Sequence, residues 1–347
     1  MTLPEAPDAP HSAPAAPAPE AFEAAGRRAI VADAVPFALM TVEGADAADF
    51  LHTQLSSDFK ALAPGSARWT SYNSPKGRVL ATLFAGRLAD GPDGPRFIAW
   101  LAEDMAAAMA RRLRMFVLRS KVVVAERGAG YATFGLGGPG APDAVREALG
   151  VALTPGHVLE RGDTRLGCLP DGRILVTSPA ADHATVLEAL SGSAQRVPSS
   201  VWTWLGIRAA VPTIDAATTE RFVAQEANLD VIGALDFRKG CYPGQEIVAR
   251  TQYLGRLKER LFLCEADATP PAGGTRLFHP IFGDQPCGEV VNAAFGPAGS
   301  TQFLAVLQIA AGTTPGLALG APGGPVVSIL QLPYVLPEPS APRPRLK

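Results

Sequence analysis

The chain has 347 residues, which at roughly 100–200 residues per domain allows two or three domains, and its 47% hydrophobic content suffices for a sizeable core. Thirty-one Lys and Arg against 33 Asp and Glu leave a formal net charge of −2; this excludes a globally basic nucleic-acid binder, though not a local basic face. No stretch reaches the ~18 consecutive apolar residues of a membrane span. Residues 1–20 have neither the basic start nor the apolar stretch of a secretory signal. The four cysteines (Cys168, Cys241, Cys264, Cys287) contain no CxxC pair, and the five histidines no HxxxH spacing. Local spacing therefore indicates neither a disulfide scaffold nor a metal site. A reduced, cytoplasmic compartment is the expectation.

In chain order, residues 1–26 read as a disordered Ala/Pro leader with too little apolar surface to offset the entropy of ordering. Order is expected to begin near Ala29. Asp46 is placed to N-cap a helix through about Ser57. Two similar units follow. Val79–Gly86 turns at Asp90–Pro95 into Phe97–Leu101, with a helix from Glu103 to Met115 and a strand Lys121–Ala125. Thr164–Leu169 then turns at Pro170–Gly172 into Ile174–Thr177, with a helix over Ala181–Leu190. A hairpin followed by a helix, used twice, predicts two α+β lobes of related design over residues 27–255. Short apolar runs separated by Gly/Pro-rich turns predict a small C-terminal β-barrel or sandwich over 256–336. Residues 337–347 read as a flexible tail.

Gly135-Leu-Gly-Gly-Pro-Gly140 fits the GxGxxG pattern after an apolar run and before a short helix. A dinucleotide site needs a following strand and an acid ~20 residues on; here Pro139 stiffens the loop, the helix is only about two turns long and Pro155-Gly156 interrupts before any strand, so a helix-entry turn is the expectation. The densest chemistry lies in Asp236-Phe-Arg-Lys-Gly-Cys-Tyr-Pro-Gly-Gln-Glu-Ile-Val-Ala-Arg250. Arg238 and Lys239 precede Cys241, and nearby cations stabilise a thiolate. Gly240 and Gly244 allow a tight bend or close approach to a ligand, and Glu246 suits a helix start. The same residues would also make a helix-entry loop carrying a bystander thiol.

Lys239-Gly-Cys-Tyr-Pro-Gly-Gln-Glu246 resembles the K-G-C-[FYW]-x-G-Q-E signature of the YgfZ family, folate-binding proteins tied to iron–sulfur enzymes and related to the aminomethyltransferase (T-protein) of the glycine cleavage system. Arg208–Asp215, Gln225–Asp230, Gly44–Leu51 and Asn73–Leu80 are similar to flanking elements of that family. The resemblance covers about Ala29 to Val335. It implies an α+β fold of two interleaved ferredoxin-like lobes around a central opening, followed by a C-terminal β-barrel. It also implies a cytoplasmic accessory factor that binds tetrahydrofolate or a derivative and supports assembly or repair of iron–sulfur enzymes, including radical enzymes that modify tRNA.

On that reading the partners are folate and iron–sulfur enzymes or cluster carriers, with a possible transient iron–sulfur species, no membrane and no strong direct nucleic-acid binding. Cys241 serves as a functional thiolate with Lys239 beside it. Asn228, Gln245 and Glu246 suit a pterin edge, Arg208, Lys239 and Arg250 the folate carboxylates, and Lys76 and Arg78 a further anion contact; each of these charges would equally suit a surface ion pair, except Glu246 and Lys239, which the signature favours. T-proteins carry acids where this chain has Ala81 and Thr82, neither of which can act as a base. This weighs against the first alternative, a folate-dependent aminomethyltransferase. A tRNA-binding modification factor is the second alternative.

Overall fold

The computed structural model describes residues 15–128, 130–253 and 257–337. The first described element corrects the leader: α1 (Pro19–Arg27) is a helix, with Pro19 opening it, Glu20 in its first turn and Arg27 in its last. Its Phe22, Ala24 and Ala25 are buried, and the Phe22 ring meets Trp204 edge-on at 5.2 Å. Alanine-rich composition conceals this helix, because alanine favours both disorder-like simplicity and helix formation; one buried aromatic ring decides between them. Residues 1–14 lie outside the described residues.

The two lobes are interleaved. β1 (Ile30–Ala32) leaves for the second sheet before the first is built. The first sheet comprises β2 (Phe37–Glu43), β3 (Ala67–Asn73), β4 (Val79–Arg87), β5 (Arg96–Ala102) and β6 (Val123–Glu126), antiparallel in the order β3-β4-β5-β2-β6. The helices α2 (Ala47–Gln54) and α3 (Glu103–Arg114) cover one face through Phe50, Leu51, Met105, Met109 and Leu113. Asp46 precedes α2 but makes no side-chain cap; its Oδ2 accepts from the Lys121 backbone N–H at 2.7 Å.

The second sheet places β1 between β7 (Tyr131–Gly137) and β11 (Gln195–Val197), and continues from β7 through β10 (Ile174–Pro179) and β9 (Thr164–Cys168) to β8 (His157–Arg161). Here α4 (Ala141–Leu149) and α5 (His183–Ser191) cover one face. The uncovered faces of both sheets share one core containing Trp69, Phe84, Trp100 and Leu175, and the Trp100 indole donates across it to Thr177 Oγ1 at 2.8 Å. This double cover makes β4 buried along its first eight residues rather than alternating. Arg96 clasps Glu160 with two bonds of 2.6 and 2.8 Å at the lobe boundary, which holds the Glu160 carboxyl below its usual range.

α6 (Ser199–Arg208) packs against β7, and the Gly135–Gly140 segment exists for that contact. A Cβ on Gly135 would sit 2.7 Å from the Trp202 ring and one on Gly137 2.6 Å from Leu205. The run then ends in a left-handed Gly140 at the start of α4, a helix-entry turn. After α7 (Gln245–Tyr253), β12 (Glu259–Ala266), β13 (Arg276–Phe278), β14 (Pro286–Phe295), β15 (Thr301–Gln308), β16 (Ala318–Leu319) and β17 (Val327–Leu330) form an antiparallel sheet in the order β16-β13-β14-β15-β12-β17. The sheet curls until Ala318 at one edge bridges to Val326 beside the other. It is a half-barrel with its own core around Phe303, Leu307 and Leu277. Among the described residues no helix is long and apolar enough to cross a membrane.

Candidate functional site

The signature segment is anchored by its lysine. Lys239 is 8% exposed, and its Nζ donates to the carbonyls of His52 and, at 2.6 Å, Leu55. These are free carbonyls at the C-terminal end of α2, where a cation is favoured by both hydrogen bonding and the helix dipole. The Tyr242 ring lies 4.7 Å from Nζ. Burial pushes the ammonium down to about 8. This corrects the assignment of Lys239 to the folate carboxylates: its donors hold a helix end, although Cys241 is near enough for their charges to interact.

Two residues on, Cys241 is exposed while the other three thiols are buried. Burial pushes Cys168 up to about 12 and raises Cys264 and Cys287 as well. Backbone packing determines where the exposed thiol sits. Gly244 has φ +79°, and a Cβ there would meet Ser74 O at 2.5 Å and Gly77 Cα at 2.7 Å. Gly77, at φ +72°, would in turn meet Ile247 at 2.6 Å. The Ser74–Arg78 turn and the Gly244–Ile247 helix start, far apart in sequence, are thus in direct backbone contact. Beneath them Asn73 leaves both amide atoms, and Ser74 its hydroxyl, buried without a partner among the described residues. Such atoms require a polar group, either water or a ligand.

The remaining sequence-nominated residues separate into engaged and open sets. Asn228 is fully buried at φ +55°. Its amide donates to Leu261 O at 2.9 Å and accepts from Leu261 N at 3.3 Å, so it fastens the half-barrel rather than a pterin edge. Arg78 donates to Arg221 O at 2.5 Å and stands 3.6 Å from Glu226, whose carboxyl burial raises; its guanidinium is largely committed within the protein. Arg208, Lys76, Glu246 and Arg250 are exposed and Gln245 is half-buried. Ala81 is buried, and Thr82 Oγ1 donates to Pro212 O and accepts from Ile214 N, both at 3.0 Å. These two positions therefore offer no acid or base.

None of the site residues nominated from the sequence lines the cavity of about 410 Å³ where both lobes and the half-barrel meet. Phe37 and Trp202, edge-on at 5.7 Å, provide aromatic wall. Arg173 lies 4.5 Å over the Trp202 ring and is held to Asp171 through Nε at 2.9 Å and Nη2 at 2.8 Å. Its Nη1 has no protein partner among the described residues and lies where a side chain on Gly206 would intrude, 2.6 Å from a Cβ there. Glu103, Asp104 and Asp215 add carboxylates. The Asp171-Gly172-Arg173 turn was the available signal, but it reads first as a hairpin turn. Among the described residues no group of three metal-ligating side chains is present.

Two interleaved α+β lobes and a curled sheet around a shared cavity define the aminomethyltransferase-type fold. The structure is similar to the glycine cleavage system aminomethyltransferase T from Bartonella henselae, with a TM-score of 0.75 at 19% identity over 91% of this chain and 89% of that one. Within that class the chain belongs to the YgfZ family. It is 31% identical over 245 residues to the tRNA-modifying protein YgfZ of Yersinia pseudotuberculosis (serotype O:1b, strain IP 31758), covering 70% of this chain and 72% of that protein. It is 30% identical over 242 residues to its namesake in Enterobacter sp. (strain 638), covering 68% and 72%. No family model matches the chain.

Proposed function

We propose that this chain binds a reduced folate and serves as an accessory factor for assembly or repair of iron–sulfur enzymes, among them radical enzymes that modify tRNA, with Cys241 as its working thiol. The observation that carries this reading is the contrast among the thiols: three are buried, and the fourth is held in the open by a lysine-capped helix end and two packed glycines. A single thiol cannot hold a cluster, since clusters usually take about four thiolates, so Cys241 contacts a folate-derived or cluster-derived species transiently. The relatives are named for tRNA modification, which fits an action through enzymes that modify tRNA.

The cavity residues fit a folate. Phe37 and Trp202 suit the flat ring, a carboxylate of Glu103, Asp104 or Asp215 can accept from the paired N–H groups of a pterin edge, and Arg173 Nη1 suits an anionic tail. A bound reduced folate would supply one-carbon or reducing chemistry; the chain itself binds, orients and excludes water. With Ala81 and Thr82 where T-proteins carry acids, one-carbon transfer to or from an aminomethyl carrier is not expected. Calorimetric titration with tetrahydrofolate is the direct test. Binding that weakens at least tenfold in Arg173→Leu supports the reading; no binding by the intact chain, or methylene transfer at a T-protein-like rate, refutes it.

A further inference from the structure

The end of α3 and the turn to β6 carry an exposed surface that neither folate nor Cys241 accounts for. Met115, Phe116, Leu118 and Val123 are 61, 43, 87 and 68% exposed, a concentration of large apolar side chains within nine residues. Arg111, Arg114, Arg119 and Lys121 are exposed among them, and no acid occurs between Asp104 and Glu126. The backbone is well held. Met115, Phe116 and Val117 donate to the carbonyls of Arg112, Leu113 and Arg114, Ser120 donates to Val117, and buried Leu113 and Val124 anchor the inner side. Leu118 sits at φ +46°, a backbone region that branched residues rarely occupy. A strained, fixed turn that presents leucine to water calls for an outside partner.

We propose that this face docks a protein partner whose contact surface is apolar at its centre and acidic at its rim. Exposed Met, Phe and Arg together match the composition of protein interfaces, and the four exposed cations, which outnumber the Asp46 carboxylate lying against the Lys121 backbone, specify the charge of the rim. A second copy of this chain on a two-fold axis would set the same cations against each other. RNA would use the cations, but stacking on single strands needs several aromatic rings, and this face offers one. The surface is tied to the signature through α2: Asp46 at its start accepts from Lys121, and the carbonyls at its end hold Lys239. Eight helical residues span about 12 Å, which brings a docked partner near the Cys241 turn. That the partner is an iron–sulfur client rests on the function proposed above; the docking face does not.

The test is photo-crosslinking in cells from p-benzoylphenylalanine placed at position 118 of the full chain, with the adduct identified by mass spectrometry. The purified partner should bind the full chain more weakly in added salt. Its affinity should fall at least tenfold in Arg119→Glu and in Leu118→Ser. Tetrahydrofolate binding by the two surface variants should match the parent, so that loss of docking and loss of the folate reading are separately visible. No adduct, adducts only to a second copy of the chain, or an affinity indifferent to both surface substitutions would overturn the proposal. So would adducts only to RNA, with purified total tRNA binding the chain and losing affinity in Arg119→Glu.

Discussion

Lys239 Nζ donates to the carbonyl of Leu55 at 2.6 Å, so a residue 184 positions later in the chain closes the end of α2. The hydrogen bond fixes the start of the signature relative to the first lobe and leaves Cys241, two residues on, at the surface.

The charge on that lysine has a pH signature. Burial lowers its folded-state pKa to about 8, against the 10.5 of a free lysine. The unfolded chain therefore binds the proton more tightly, and stability attributable to this group rises as pH increases from about 8 to about 10.5. Lys239→Met removes the titration. In denaturant unfolding, parent and variant should diverge between pH 7.5 and 10, the parent gaining up to about 3 kcal/mol relative to the variant. At pH 7.5 the variant should also lose about 1–3 kcal/mol from leaving helix-end carbonyls without a donor, less whatever it gains by not burying a charge. A constant difference across the range would show that Lys239 does not titrate there.

Gly244 and Gly77 make the second fastening. Gly244→Ala imposes both a left-handed alanine and a contact with Ser74 O, so a loss of about 2–4 kcal/mol is expected. Pro75→Ala in the same turn, on an exposed side chain, should cost under about 1 kcal/mol. Equal melting temperatures for Gly244→Ala and the parent would mean that the two segments separate freely.

Phe22 tests the corrected leader. Its ring is 5% exposed and meets Trp204, and Phe22→Ala should cost about 3 kcal/mol, as buried aromatic truncations do. Thermal unfolding unchanged by this substitution would show that α1 does not dock.

The parts legible in the sequence were those whose determinants are local. The helix from Glu103 has acids at one end and arginines at the other, and both hairpins announce their turns with Gly and Pro. β2 and α6 were missed for one shared reason. Phe37–Glu43 is buried on both faces and Ser199–Arg208 packs Trp202 and Trp204 on different neighbours, so neither shows a clean period. In the candidate site, the exposed thiol and the glycine turn follow from residues 239–246 alone. The cavity does not, because Phe37, Arg173 and Trp202 reach it from three separate elements. The roles of Lys239 and Asn228 depend on carbonyls far away in the chain, at Leu55 and Leu261, which no local pattern specifies.

Cys241 carries the sharpest prediction. Iodoacetamide should alkylate it in the native protein well before the other three thiols, because Cys168, Cys264 and Cys287 are 0, 0 and 1% exposed and burial disfavours their thiolates. Peptide mass after a timed pulse reads this directly, and unfolding in denaturant should bring the four rates together. Cys241→Ser should fold with a melting temperature within about 2 °C of the parent, since an exposed thiol contributes little to packing. It should still bind tetrahydrofolate and yet fail to restore iron–sulfur enzyme activity in a strain lacking the factor. Full complementation by Cys241→Ser would remove the thiol from the mechanism and leave the signature a structural clamp. Failure of both complementation and folate binding would instead place the ligand at the signature itself, against the unpartnered amide of Asn73.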